Sequence, residues 1–162
     1  MDDSSTQEAL APQFEYAIYI AAAPETVWTA LTVGAFTRQF FFGRSVESRW
    51  TVGSPYVLRM ADGRVDSQGT VLESQPPRLL TVSWRVEWLE EFRDLPEGRV
   101  TYRIDPVGDA VRLMVSTFQP EPVDPRLLEG ARNGWPLIFS SLKSLLETGK
   151  PLQVSVPEPP AA

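Results

Sequence analysis

One segment of this chain reads as a long amphipathic helix, and it comes last, after a series of short alternating segments. Leu127, Leu128, Ala131, Trp135, Ile138, Leu142, Leu145 and Leu146 recur at helical spacing. Asp124-Pro125 supplies a capping residue followed by a proline suited to the first helical position. Gly149 is placed to end the helix. Pro136 lacks the N–H that an unbroken helix needs, so a kink or restart is expected near Asn133–Trp135. Strands first and one long helix last imply a helix closed over a concave sheet. Such a pairing can enclose a cavity for a small molecule.

The alternating segments begin at Phe14, where Phe14, Tyr16, Ile18 and Ile20 share one face by period-two spacing. Ala23-Pro24-Glu25 then opens a short helix with the apolar stripe Val27, Trp28 and Leu31, and a second short helix is expected from Gly34 to Phe40. Val46, Ser48 and Trp50 alternate next, followed by Tyr56, Leu58 and Met60 and an Asp62-Gly63 turn. A strand over Asp66–Glu73 leads to the Pro76-Pro77 turn. Leu80, Val82, Trp84, Val86 and Trp88 form one face of the clearest strand. An acidic loop from Glu90 to Gly98 precedes Val100, Tyr102 and Ile104. The Val107-Gly108-Asp109 turn leads into Val111, Leu113, Val115 and Thr117. This rhythm predicts an antiparallel sheet of about seven strands, solvated on one face. The expected class is therefore α+β. A flexible N-terminus (1–12), one domain (13–150) and a Pro-rich tail (151–162) complete the division.

Composition narrows the function. The 162 residues include no Cys and no His, which removes disulfides, thiol nucleophiles and the commonest general base and metal ligand. The basic residues, 13 Arg and two Lys, are scattered in a chain of formal charge −6, so no nucleic-acid partner is expected. Apolar runs stay short of the ~20 residues of a membrane span, and Met1-Asp2-Asp3-Ser4-Ser5 is too acidic for a signal peptide. A cytoplasmic location is the default expectation. The chain shows no phosphate loop or metal cluster, so no cofactor or metal is expected.

Four strings in this order resemble the START-like (SRPBCC) superfamily, and within it the bacterial branch named after the C-terminal domain of the activator of heat-shock protein 90 ATPase. They are Ile18–Thr32, Gly69–Glu73, Pro76–Leu80 and Asn133–Gly149, which together span about residues 14 to 150. The resemblance implies a helix-grip fold: a curved antiparallel sheet wrapped around a long C-terminal helix, with two short helices plugging one end. It implies a cavity without naming a ligand. The eukaryotic activator carries a separate N-terminal domain that makes much of its chaperone contact. About a dozen residues precede the first strand here, so that domain is expected to be absent. Some relatives carry a His on the last strand where Thr117 stands, and a role resting on that His does not transfer.

The expected cavity lining is Tyr16, Ile18, Trp50, Tyr56, Leu58, Met60, Val71, Glu73, Val82, Trp84, Val86, Trp88, Tyr102, Leu113, Val115, Thr117, Trp135 and Phe139. Aromatic walls would supply shape and burial, and Tyr16, Tyr56, Tyr102 and Thr117 would supply orienting hydrogen bonds. Each of these residues also has a plain role as core packing. Gly69, Val71 and Glu73 are expected to point inward together, which would bury a carboxylate. Phe40-Phe41-Phe42 cannot all face one way, so the run offers a gate at the cavity mouth or a dimer contact. The favoured function is binding of a small apolar or aromatic molecule, lipid-like or polyketide-like. A protein-interaction role, as a homodimer or with a chaperone, comes second. A cyclase- or hydrolase-type enzyme using Glu73 or tyrosine hydroxyls comes third, and no catalytic residue is assigned.

Overall fold

The computed structural model describes residues 12–87, 89–120 and 122–153. Seven strands form one antiparallel sheet in the order β1-β7-β6-β5-β4-β3-β2. The strands are β1 (Phe14–Ile20), β2 (Ser45–Ser48), β3 (Pro55–Arg59), β4 (Val65–Gln75), β5 (Leu79–Val86), β6 (Gly98–Val107) and β7 (Ala110–Phe118). Two short helices, α1 (Pro24–Thr32) and α2 (Gly34–Phe40), follow β1, and α3 (Pro125–Thr148) closes the fold. Every step but one joins neighbouring strands. The exception is β1 to β2, which occupy opposite edges of the sheet, and α1 and α2 span that gap.

The apolar faces read from alternation meet on the concave side. Ile20, Val27, Val71, Leu113, Val115, Phe139 and Leu142 are fully buried there. Asp124 caps α3 by accepting the Arg126 N–H at 2.9 Å. At the other end Gly149 takes a left-handed φ of 85°, and its N–H closes on the Leu145 carbonyl at 2.9 Å. Glu147 fastens the helix to the end of β1, accepting from the Ala21 N–H at 2.8 Å and from Lys143 at 2.7 Å.

Three expectations change. The restart near Asn133–Trp135 does not occur, because α3 runs unbroken through Pro136. The exposed Arg132 lies four residues earlier, so the carbonyl deprived of a helical donor can face water. Trp50 lies beyond the end of β2 and enters the interior through a left-handed φ of 59°; its indole N–H donates to the Thr32 carbonyl at 2.8 Å. The third change is in β4, which carries two bulges. Against β3, Leu58 pairs with Ser67 and Arg59 with Val65, leaving Asp66 as the extra residue. Against β5, Val71 pairs with Val82 and Glu73 with Thr81, leaving Leu72 as the extra residue. Each bulge slips the side-chain alternation by one and bends the strand. Glu73 is therefore on the outer face, exposed, where its carboxylate accepts from the Thr81 hydroxyl at 3.2 Å. The inward Glu73 expected from period-two spacing is overturned by this slip.

The expected flexible N-terminus and Pro-rich tail lie mostly outside the described residues, as does Trp88. Among the described residues no helix is long and apolar enough to cross a membrane.

Candidate functional site

Two spaces lie against the inner face of the sheet, one under α1 and α2 and one under α3, and Phe41 and Trp84 line both. The inner space, at the end plugged by α1 and α2, is about 20 Å³. It is bounded by Tyr56, Leu58, Val82, Trp84 and Tyr102 from the sheet, and by Phe40 and Phe41 from the end of α2. It is small because rings fill it. Tyr56 stacks beside Trp50 at 6.4 Å between centroids and lies 6.1 Å from Trp84. Trp135 on α3 then meets Trp84, Tyr102, Phe139 and Phe41 edge-on, at 6.4, 5.8, 5.8 and 5.6 Å. Such tilted contacts suit the ring quadrupoles and leave little void.

The outer space is an open cleft of about 370 Å³ at the other end of the sheet. Val86, Val100 and Thr117 form its sheet wall, and Trp84 and Trp135 its inner end. Leu127, Leu128, Ala131 and Ile138 line the α3 side. Leu89 and Phe92 reach over from the β5–β6 loop, where Glu90–Phe92 form one turn of 3₁₀ helix. Arg126 holds that turn against α3: it pairs with Glu91 at 3.0 Å, and its guanidinium sits 4.7 Å from the centre of the Phe92 ring.

A buried ion pair stands at one side of this cleft. Arg44 Nε donates to Asp66 Oδ2 at 3.0 Å, with only 7% and 13% of the two side chains exposed. Ser67 Oγ donates to the other Asp66 oxygen at 2.6 Å. Arg44 Nη1 also donates to the Phe42 carbonyl at 2.6 Å. That bond braces an unfavourable conformation, because Phe42 has φ of 51°, left-handed for a bulky residue. The bulge at Asp66 aims the carboxylate inward, so the Phe turn and β4 are fastened together beside the opening.

The sequence-predicted residues fall into four groups. Phe41, Phe42, Trp84, Val86, Thr117 and Trp135 line the open cleft. Phe40, Trp50, Tyr56, Leu58, Val82 and Tyr102 surround the nearly filled inner space. Met60, Val71, Leu113, Val115 and Phe139 are buried packing, with Tyr16 and Ile18 half-buried against the core and Tyr16 5.9 Å from Phe139. Glu73 is outside. Phe41 and Phe42 do lie at the cleft, whereas Phe40 is 2% exposed and belongs to the core.

The cleft residues missed include Arg44, Asp66, Phe92, Leu127 and Leu128. The helix periodicity already marked Leu127 and Leu128 as an apolar pair beyond the reach of the packed end. Phe92, the one aromatic residue in an acidic loop, carried the signal for a cover.

Burial is the main cause of two shifted titrations: it raises both Tyr56 and Tyr102 well above the usual phenol range. Both therefore stay protonated and can donate, and neither can serve as a base at neutral pH. With Glu73 exposed on the outer face, the acid–base site proposed around it does not form.

A family described as "Activator of Hsp90 ATPase homolog 1-like protein" matches residues 21–147, from the end of β1 to the last turn of α3. The chain belongs to this family. Its fold recurs in solved structures of other proteins. The Mesorhizobium loti protein MLL2253 is 23% identical, with 83% of this chain and 97% of that one aligned at a TM-score of 0.69. The Colwellia psychrerythraea Aha1 dimer is 20% identical over 85% and 97%, at 0.64. DynU16, from the dynemicin biosynthetic locus, is 21% identical over 85% of this chain and 48% of that one, at 0.63. No curated protein matches. At these identities the likeness to the Aha1-like structures shows the fold, and the cleft lining has to be read from this chain's own residues.

Proposed function

We propose that the protein binds one small, largely apolar or aromatic molecule in the cleft between the open end of the sheet and the N-terminal half of α3. The observation that carries this reading is the cleft itself: about 370 Å³, walled mainly by Trp84, Trp135, Phe92 and aliphatic side chains, with Gln13, Arg44, Asp66, Thr117, Gln119 and Arg126 supplying polar groups around it. That volume lies in the range of small-molecule sites, and apolar walls with a few placed polar groups are their usual composition. The likeness to DynU16 is consistent with it, since a biosynthetic locus handles small molecules.

The test is a titration followed by tryptophan emission, because Trp84 and Trp135 line the cleft. A naphthalene-sized probe should perturb emission saturably in the natural chain. Ala131→Trp should abolish the response while the protein still melts cooperatively, because the added indole occupies the cleft from a half-buried position on α3. Unchanged emission in the natural chain, or undiminished binding in Ala131→Trp, would defeat the reading.

A second reading, assembly with another protein chain, is favoured by the Colwellia relative, which is described as a dimer. Light scattering across a concentration series tests self-association. A pull-down with the heat-shock 90 ATPase tests the partner suggested by the family description.

A further inference from the structure

The inner space holds a polar group that an apolar ligand alone does not use. Tyr56 is 3% exposed, and its hydroxyl is the one buried side-chain oxygen or nitrogen among the described residues with no hydrogen-bond partner. Buried hydroxyls are normally satisfied, so an orphan asks for an explanation. Two other polar groups around the same space are already committed. The Trp50 indole N–H donates to the Thr32 carbonyl at 2.8 Å. The Thr37 hydroxyl donates to the Gly34 carbonyl at 3.2 Å and accepts from the Val46 N–H at 3.0 Å.

This space and the open cleft share two side chains. Phe41 and Trp84 line both. Trp84 reaches from Tyr56, 6.1 Å away, to Trp135, 6.4 Å away. Phe41 is half-buried and precedes the left-handed Phe42, so one face of the partition hangs on a strained turn. A rotamer change at Phe41 costs far less than a movement of the sheet and would join the two spaces.

Building on the proposed apolar site, we infer that the two spaces form one pocket when occupied, and that its ligand is a planar aromatic molecule bearing a neutral hydrogen-bond-accepting oxygen, such as a ketone, which the Tyr56 hydroxyl holds at the inner end. The aromatic walls accept the ring, and the outer cleft accepts the rest of the body. Burial keeps the phenol protonated and therefore a donor. A charged oxygen fits poorly, because the walls around Tyr56 are apolar and would strip its hydration.

The test compares 2-acetylnaphthalene with 2-ethylnaphthalene, which keeps the ring and replaces the carbonyl by a methylene. Each is titrated against the natural protein and Tyr56→Phe, followed by tryptophan emission. The ketone should bind the natural protein about tenfold more tightly than the hydrocarbon. In Tyr56→Phe the ketone should weaken to the hydrocarbon's level, and the hydrocarbon should be unaffected. Equal affinities in the natural protein, or a ketone preference that survives Tyr56→Phe, overturn the inference and leave the apolar site standing. If neither probe binds the natural protein, the apolar site fails and this inference fails with it. Should Tyr56→Phe not fold, NMR of the natural protein with Cζ-labelled tyrosine reads the same contact. One of the four tyrosine signals should move with the ketone and not with the hydrocarbon, and four unmoved signals overturn the inference.

Discussion

Tyr56→Phe should make the unliganded protein more stable, which is unusual for a substitution in a packed interior. The ring keeps its place between Trp50 and Trp84, because phenylalanine has the same carbon frame. Only the hydroxyl goes, and it has no protein partner. Burying a hydroxyl without a partner costs about 1–3 kcal/mol, so its removal should return about 1 kcal/mol or more. In a domain of this size that raises the melting temperature by about 2–4 °C.

Urea denaturation followed by tryptophan emission measures the change directly, with a higher midpoint expected at unchanged slope. A pH series sharpens the result. The folded-state pKa of Tyr56 is raised, chiefly by burial, so the folded chain holds this proton more tightly than the unfolded chain does. Its contribution is complete below the unfolded phenol value and is lost as pH rises through the folded one. Stability should therefore fall above about pH 10, and the fall should be shallower in Tyr56→Phe by up to about 1.4 kcal/mol per pH unit. A variant about 1 kcal/mol less stable than the natural chain would refute the reasoning, since the hydroxyl would then have a partner in the folded protein.

Other substitutions test other parts of the frame. Asp66→Ala should cost roughly 1.5–3 kcal/mol in urea denaturation, because it removes the buried carboxylate that accepts from both Arg44 and Ser67. Gly69→Ala should destabilise comparably or prevent folding: a Cβ there would lie 2.1 Å from the Ser83 carbonyl oxygen, a backbone atom of β5 that cannot turn aside. Asp124→Ala should cost about 1 kcal/mol by removing the α3 cap, read as a lower thermal midpoint. Glu73→Gln should leave ligand binding unchanged, since that side chain is exposed on the opposite face of the sheet from the cleft; altered affinity would show that the face is misassigned.

The fold was legible because it rests on long, repeated patterns. The α3 stripe from Leu127 to Leu146 and the alternation at Leu80–Val86 and Val100–Ile104 each repeat a period several times, so one irregular residue does not disguise them. The cleft was less legible because its polar side depends on single-residue events. Alternation along β4 turns Glu73 inward, and the structure turns Asp66 toward the cleft instead. Both differences come from bulges, each one residue long, that a period-two pattern along β4 does not register. Trp50 reaches the interior through a backbone angle that periodicity does not foresee. Pro136 did not bring the restart that its missing N–H allows: one lost helical hydrogen bond did not interrupt a helix whose buried side includes Trp135 and Phe139.

Trp135 bears on how such a protein can change over generations. Its ring touches Phe41, Trp84, Tyr102 and Phe139, so one side chain is both a wall of the cleft and a joint between helix, sheet and plug. A mutation that reshapes the pocket there also loosens the core, and selection for stability will resist it. Leu127, Leu128, Ala131 and Phe92 border the same cleft from element ends and a loop, with fewer such ties. Under the proposed binding role, substitutions at the rim can therefore change the shape of the cleft while the inner wall stays constant, without first passing through a weakened structure.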